Sequence, residues 1–182
     1  MLTACIVDNK HDVNEIIHNH YKFLPKNTII KYINDDRIQT KEHYSNFLKT
    51  IEFWEQFETE HILIFQHDSC LLKEGIEEFY EYDYIGASWD FEPYVGNGGL
   101  SLRKKSAMLN VLNNYNEHLE LPEDMYFAYG CKALNLNIAP VDVADKFSIE
   151  TKFKLGSLGY HQIETYLTKE ECLLIKNQYL KN

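Results

Sequence analysis

The residues able to do chemistry gather in a few short runs. His61-Ile-Leu-Ile-Phe-Gln-His-Asp-Ser69 is an apolar stretch that ends on Gln66, His67 and Asp68. The stretch is too short for a helix of its own and suits the centre of a parallel sheet. In open α/β folds, ligands bind beyond the carboxyl ends of such strands. A carboxylate there either caps the loop or holds a divalent cation, which can bridge a diphosphate and neutralise charge on a leaving group. Glu123-Asp124 places adjacent carboxylates just after Pro122. At a helix start these either satisfy the dipole or turn one acid into a cleft as a general base. His161 follows the glycine-bearing turn 156–159, where an imidazole can stay on the surface, join a metal shell or contact a phosphate.

Asn97-Gly98-Gly99 leads into Leu-Ser-Leu-Arg103. A glycine pair lets the backbone approach a bound sugar, or it opens a strand with a bulge. Trp89 stacks on a sugar ring or fills the core. Asp8 and the run Asn34-Asp35-Asp36 close the first two expected strands, where the base and ribose of a nucleotide rest in a fold of this kind, or they cap the elements that follow.

The elements that must position these residues follow from periodicity. Leu2 to Val7 reads as a buried strand, Val13, Ile16, Ile17 and Tyr21 as one helical face, and 28–33 as a second strand. Apolar residues recur at helical spacing over 41–58, predicting one amphipathic helix ahead of the His61 strand. Strands are expected at 83–86, 97–103 and 137–141, a loop at 89–95, and helices at 104–113 and 123–134. Thr168-Lys-Glu-Glu171 is a capping box opening the last helix. Alternating strands and helices predict an α/β sandwich with a mostly parallel central sheet, formed as a single domain over 1–182.

Bulk properties narrow the function classes. The 182 residues are 45% hydrophobic and 25% charged, the composition of a folded chain. A net charge of −10 opposes nonspecific nucleic-acid binding, which needs clustered Lys and Arg. The 4 cysteines are scattered without metal or redox spacing and fit a reducing compartment. No secretory leader and no apolar run long enough to span a bilayer is visible, so a cytoplasmic location is expected.

As a set, several segments resemble a family of GT-A-like domains from bacteria, fungi and large viruses, catalogued mainly as a domain of unknown function. They are Asn46 to Trp54, His61 to Ser69, Tyr82 to Trp89, Val95 to Arg103, Glu123 to Phe127 and Phe147-Ser-Ile-Glu150. Through it the chain is similar, more distantly, to β-1,3-type galactosyltransferases, in which Asp-x-Asp stands where Gln66-His67-Asp68 stands here, and Glu-Asp-Val where Glu123-Asp124-Met125 stands. The resemblance implies sugar transfer from a nucleotide-sugar, UDP-linked, to a hydroxyl of a glycan, protein or small molecule. From their places at strand ends and in the glycine turn, donor contacts are expected at Asp8, Asp35, Gln66, His67 and Asp68, and sugar or acceptor contacts at Trp89, Asn97, Gly98 and Gly99. Asp124, with Glu123 beside it, would supply the catalytic carboxylate, Asp124 as base if the reaction inverts the anomeric centre, and Asp68 with His161 would hold Mn2+ or Mg2+. Two other readings are a noncatalytic nucleotide-sugar or glycan binding module, and a nucleotidyltransferase. The latter lacks its usual glycine-rich phosphate loop, since Val7-Asp8-Asn9-Lys10 contains no glycine.

Overall fold

The computed structural model describes residues 1–91 and 93–177. Glu92, in the expected 89–95 loop, and residues 178–182 of the expected domain lie outside the described residues. The chain opens with β1 (Leu2–Val7), α1 (Val13–Tyr21) and β2 (Ile29–Ile33). It continues through α2 (Lys41–Leu48), α3 (Ile51–Glu55), β3 (His61–Phe65) and β4 (Ser69–Leu71) to β5 (Tyr84–Ile85) and β6 (Leu100–Lys104). After α4 (Lys105–Asn114) and α5 (Glu123–Ala133) come α6 (Val141–Phe147), β7 (Ser148–Ile149), β8 (Gly159–His161), α7 (Ile163–Tyr166) and α8 (Lys169–Asn177).

The central sheet has the order β2-β1-β3-β6-β5. β1 pairs parallel with β2 and β3, whereas β6 runs antiparallel to both β3 and β5, so only β6 points against the others. This is the expected mostly parallel sheet. Alternation along its strands sends side chains to opposite faces. Leu2, Ala4, Ile6, Leu63 and Phe65 pack on one side with Val13 of α1 and Phe147 of α6. Cys5, Val7, Ile62 and Ile64 pack on the other with residues of α2 to α5, among them Leu48, Trp54, Met108 and Phe127. Helices therefore cover both faces of one sheet. A second sheet, β4-β8-β7, flanks it; strands of two or three residues are too short to show a period in the sequence.

Three sequence expectations change. The helix expected over 41–58 is two helices, because Thr50 restarts the chain: its Oγ1 accepts from Phe53 N at 3.2 Å and its hydroxyl donates to Phe47 O at 2.7 Å. The strand expected at 137–141 reduces to a single bridge, Tyr84 to Ile138, and Pro140 then caps α6. The strand expected from Asn97 begins only at Leu100, since Asn97 Oδ1 accepts Gly99 N at 3.1 Å and holds the glycines in a turn. The capping box is formed, with Thr168 N donating to Glu171 Oε2 at 2.9 Å and Glu171 N to Thr168 Oγ1 at 3.3 Å. Among the described residues no helix is long and apolar enough to cross a membrane.

Candidate active site

Parallel pairing puts the ends of β1 and β3 side by side, so Asp8 and the Gln66-His67-Asp68 turn leave the sheet at one edge. The antiparallel β6 enters at that same edge. Leu100 pairs with Phe65, and Gln66 N donates to Gly99 O at 2.9 Å, which brings Asn97-Gly98-Gly99 to the strand ends. The start of α5 lies against this turn, with Gly98 N donating to Asp124 Oδ2 at 3.2 Å. A cavity of about 640 Å³ opens there, and every site residue expected from the sequence lines it except Asp35. Asp35 is turned away and held by Arg37, at 2.5 Å from Nη2.

The second sheet delivers the imidazole. β4 pairs with β8 so that Ser69 faces His161, and Gln162 N donates to Asp68 O at 2.9 Å. β7 pairs parallel with β8, Ile149 beside Tyr160, and one further step sets Glu150 beside His161. His161 Nδ1 lies 2.9 Å from Glu150 Oε1, while Nε2 lies 3.1 Å from Gln66 Oε1 and 3.2 Å from Asp68 Oδ1. Burial disfavours the imidazolium, but the Asp68 and Glu150 carboxylates more than compensate and raise its pKa to about 9. Asp68 is held below the usual carboxylate range: partial burial pushes up, and His161 pulls down further.

Across the cavity the two acids of α5 differ. Glu123 is buried and grips Arg103 through two contacts, Oε2 to Nη1 at 2.5 Å and Oε1 to Nη2 at 3.1 Å. The fully buried guanidinium of Arg103 also sits 4.6 Å from the Tyr84 ring centre. Among the described residues Asp124 forms no such ion pair. Burial, and then the neighbouring Glu123 charge, push its carboxyl up to about 6. That value suits a group that takes a proton near neutral pH.

The family model described as "Protein of unknown function (DUF5672)" matches residues 27–162. The chain belongs to that family. No curated protein matches the DUF5672 chain. Among solved structures it is similar to a glycosyltransferase involved in the glycosylation of the major capsid of PBCV-1, with TM-score 0.58 and 12% identity over 88% of this chain and 92% of that one. It is also similar to the apo-form glycosyltransferase GlyE of Streptococcus pneumoniae TIGR4, with TM-score 0.53 and 12% identity over 92% of this chain and 54% of that one. The DUF5672 chain thus spans about half the length of GlyE. At such identity the likeness is one of fold.

The remaining expected contacts divide by what they touch. Trp89 is 6% exposed and stacks on Phe91 at 5.4 Å. A Cβ on Gly98 would fall 2.4 Å from Glu123 Oε1, and one on Gly99 2.2 Å from the His161 ring, so both glycines make room for site side chains. Sequence reasoning missed Glu150, Arg103 and His11 as parts of this DUF5672 site. Glu150 and Arg103 carried a signal only as the last residues of family-like segments, Arg103 also as the end of a glycine-led strand.

Proposed function

We propose that the DUF5672 chain is a GT-A-type glycosyltransferase that moves a sugar from a UDP-linked donor to a hydroxyl acceptor, with Asp124 as the base. One observation carries this reading: at the carboxyl edge of a sheet shared in fold with glycosyltransferases, a carboxyl raised to about 6 opens on the same cavity as the Asp68 and His161 pair. Asp124 accepts the acceptor's proton. Main-chain N–H groups of Gly98 and Met125 hold its carboxylate in orientation, at 3.2 and 2.8 Å. Glu123, committed to Arg103, positions the helix start and keeps the Asp124 pKa high by its charge.

A divalent cation, Mn2+ or Mg2+, is implied by the resemblance, and the residues fit one. Among the described residues the buried Asp68 Oδ1 has no hydrogen-bond partner, although His161 Nε2 stands 3.2 Å from it. His161 Nε2, Asp68 Oδ1 and Gln66 Oε1 converge, and Glu150 holds the far ring nitrogen as a carboxylate does behind a metal-bound histidine. Bound there, the ion would neutralise charge on the departing diphosphate. Gln66 supplies a neutral oxygen where a second carboxylate would stand.

A thermal-shift panel of nucleotide-sugars, with and without manganese, tests donor binding. UDP-sugars should stabilise the chain, and Asp68→Asn should remove the manganese-dependent part. Asp124→Asn should keep that stabilisation and lose transfer, and the wild-type kcat/KM should rise with pH through about 6 as Asp124 ionises. An Asp124→Asn protein that still transfers sugar would remove the base assignment. Donor binding with no transfer across a broad acceptor panel would favour the binding-module reading.

A further inference from the structure

Beside the Asp68 and His161 pair, a second cluster stands at the strand-end edge. Asp8, His11 and His67 each offer one ligand atom, and these atoms lie within 4.8 Å of one another. Neighbouring parallel strands bring them together: Asp8 and His11 follow β1, and His67 follows β3. The Asp8 carboxylate is held in place, since its Oδ1 accepts Lys10 N at 2.7 Å and His11 N at 2.9 Å. Its Oδ2 is left facing both rings, 2.8 Å from His11 Nδ1 and 3.8 Å from His67 Nδ1. The two imidazoles stack at 3.8 Å with an 11° angle, and their side chains are 45% and 41% exposed where they line the cavity.

We infer that Asp8, His11 and His67 bind a divalent transition ion of the zinc class, in a site separate from Asp68 and His161. Two imidazoles and one carboxylate form a borderline donor set that suits such ions better than Mg2+. Three protein ligands leave a coordination position open, as in zinc sites that take a water or substrate oxygen, and here that position opens on the cavity. Parallel stacked rings cannot both aim a nitrogen at one ion in their own planes. At least one ring must therefore swing about its Cβ–Cγ bond on binding, and the exposure of both gives room to do so. The net charge of −10 favours cation capture. The inference does not rest on sugar transfer, because the ion alone is the probe.

The test uses the full chain stripped with a chelator and titrated with Co2+, whose visible absorption reports ligand type and geometry, followed by displacement with Zn2+. Wild type and Asp68→Asn should show the same intense bands with the first equivalent of cobalt, a further ion at Asp68 and His161 adding to wild type only beyond it. His11→Ala and His67→Ala should lose the bands and bind at least about 10-fold more weakly, since losing even an outer partner of a ligand costs roughly 10- to 100-fold. Unchanged thermal melting would show that both histidine variants fold. Unaltered cobalt affinity and spectrum in His11→Ala, loss of the bands in Asp68→Asn, or wild-type binding only at millimolar cobalt would each overturn the site.

Discussion

Gly99 shows how closely single residues are matched around His161. A Cβ at Gly99 would meet three ring atoms at 2.2 to 2.3 Å, and the ring cannot retreat without releasing Glu150 or Asp68. Gly99→Ala should therefore push the imidazole out of its place between the carboxylates. The expected loss of stability is about 1–3 kcal/mol, as for other overpacked interiors. Manganese-dependent stabilisation by a UDP-sugar should fall with it. Urea unfolding and the thermal-shift panel measure the two effects, and a Gly99→Ala protein with wild-type stability and donor response would mean that the ring position is not set this way. Asp68 was legible in the sequence because it ends an apolar run. The room made by Gly99 was not, because the ring that fills it lies far along the chain.

Among the elements, α5 is tied to β6 by the buried pair of Glu123 and Arg103. The guanidinium lies between aromatic rings of the sheet and helices, 4.6 Å from the Tyr84 centre, 5.6 Å from Phe127 and 5.9 Å from Trp54. Removing one member leaves the other charge buried and unpaired, which costs roughly 3–5 kcal/mol. Glu123→Ala should lose stability on that scale in urea unfolding and should also lower the Asp124 pKa, because the adjacent negative charge is gone. A loss well under 1 kcal/mol would show that water reaches the guanidinium. The acidic start of α5 was visible from Pro122 and the two acids that follow it. Which acid faces the cavity and which faces a cation was not, since neighbours in sequence on a helix point in different directions. The break at Thr50 was missed for a related reason: α2 and α3 both keep apolar residues toward the core, so the periodicity continues across a cap.

For the whole molecule, acid sensitivity follows from a buried histidine that fastens α1 to the strand-end turn. His20 is 1% exposed, with Nδ1 2.9 Å from Ile16 O, Nε2 3.2 Å from Ser69 Oγ and its ring stacked on Phe65. Burial lowers its pKa from 6.5 to about 4, against a smaller upward pull from the Ile16 carbonyl. Between those values the unfolded chain binds a proton that the folded chain refuses, so stability present above 6.5 is lost as pH falls toward 4. The loss is on the order of 3 kcal/mol for a shift of this size. Asp124, raised to about 6, acts in the opposite sense: the folded chain gains that proton first, which offsets part of the loss. The difference between wild type and His20→Gln isolates the histidine. Urea unfolding from pH 7 to pH 4 should show a flatter decline in the variant, and parallel curves would mean that His20 is protonated in the folded state.

The alternation of strand and helix, the buried β1 and β3 and the place of Asp68 at a strand end were determined by the sequence alone, because each follows from local periodicity and from where apolar runs stop. The tertiary structure decided the reversed direction of β6, the pairing of Glu150 with His161 through β7 and β8, and the meeting of His11 with His67. These depend on strand register and on contacts between residues distant in the chain, and no local pattern encodes them.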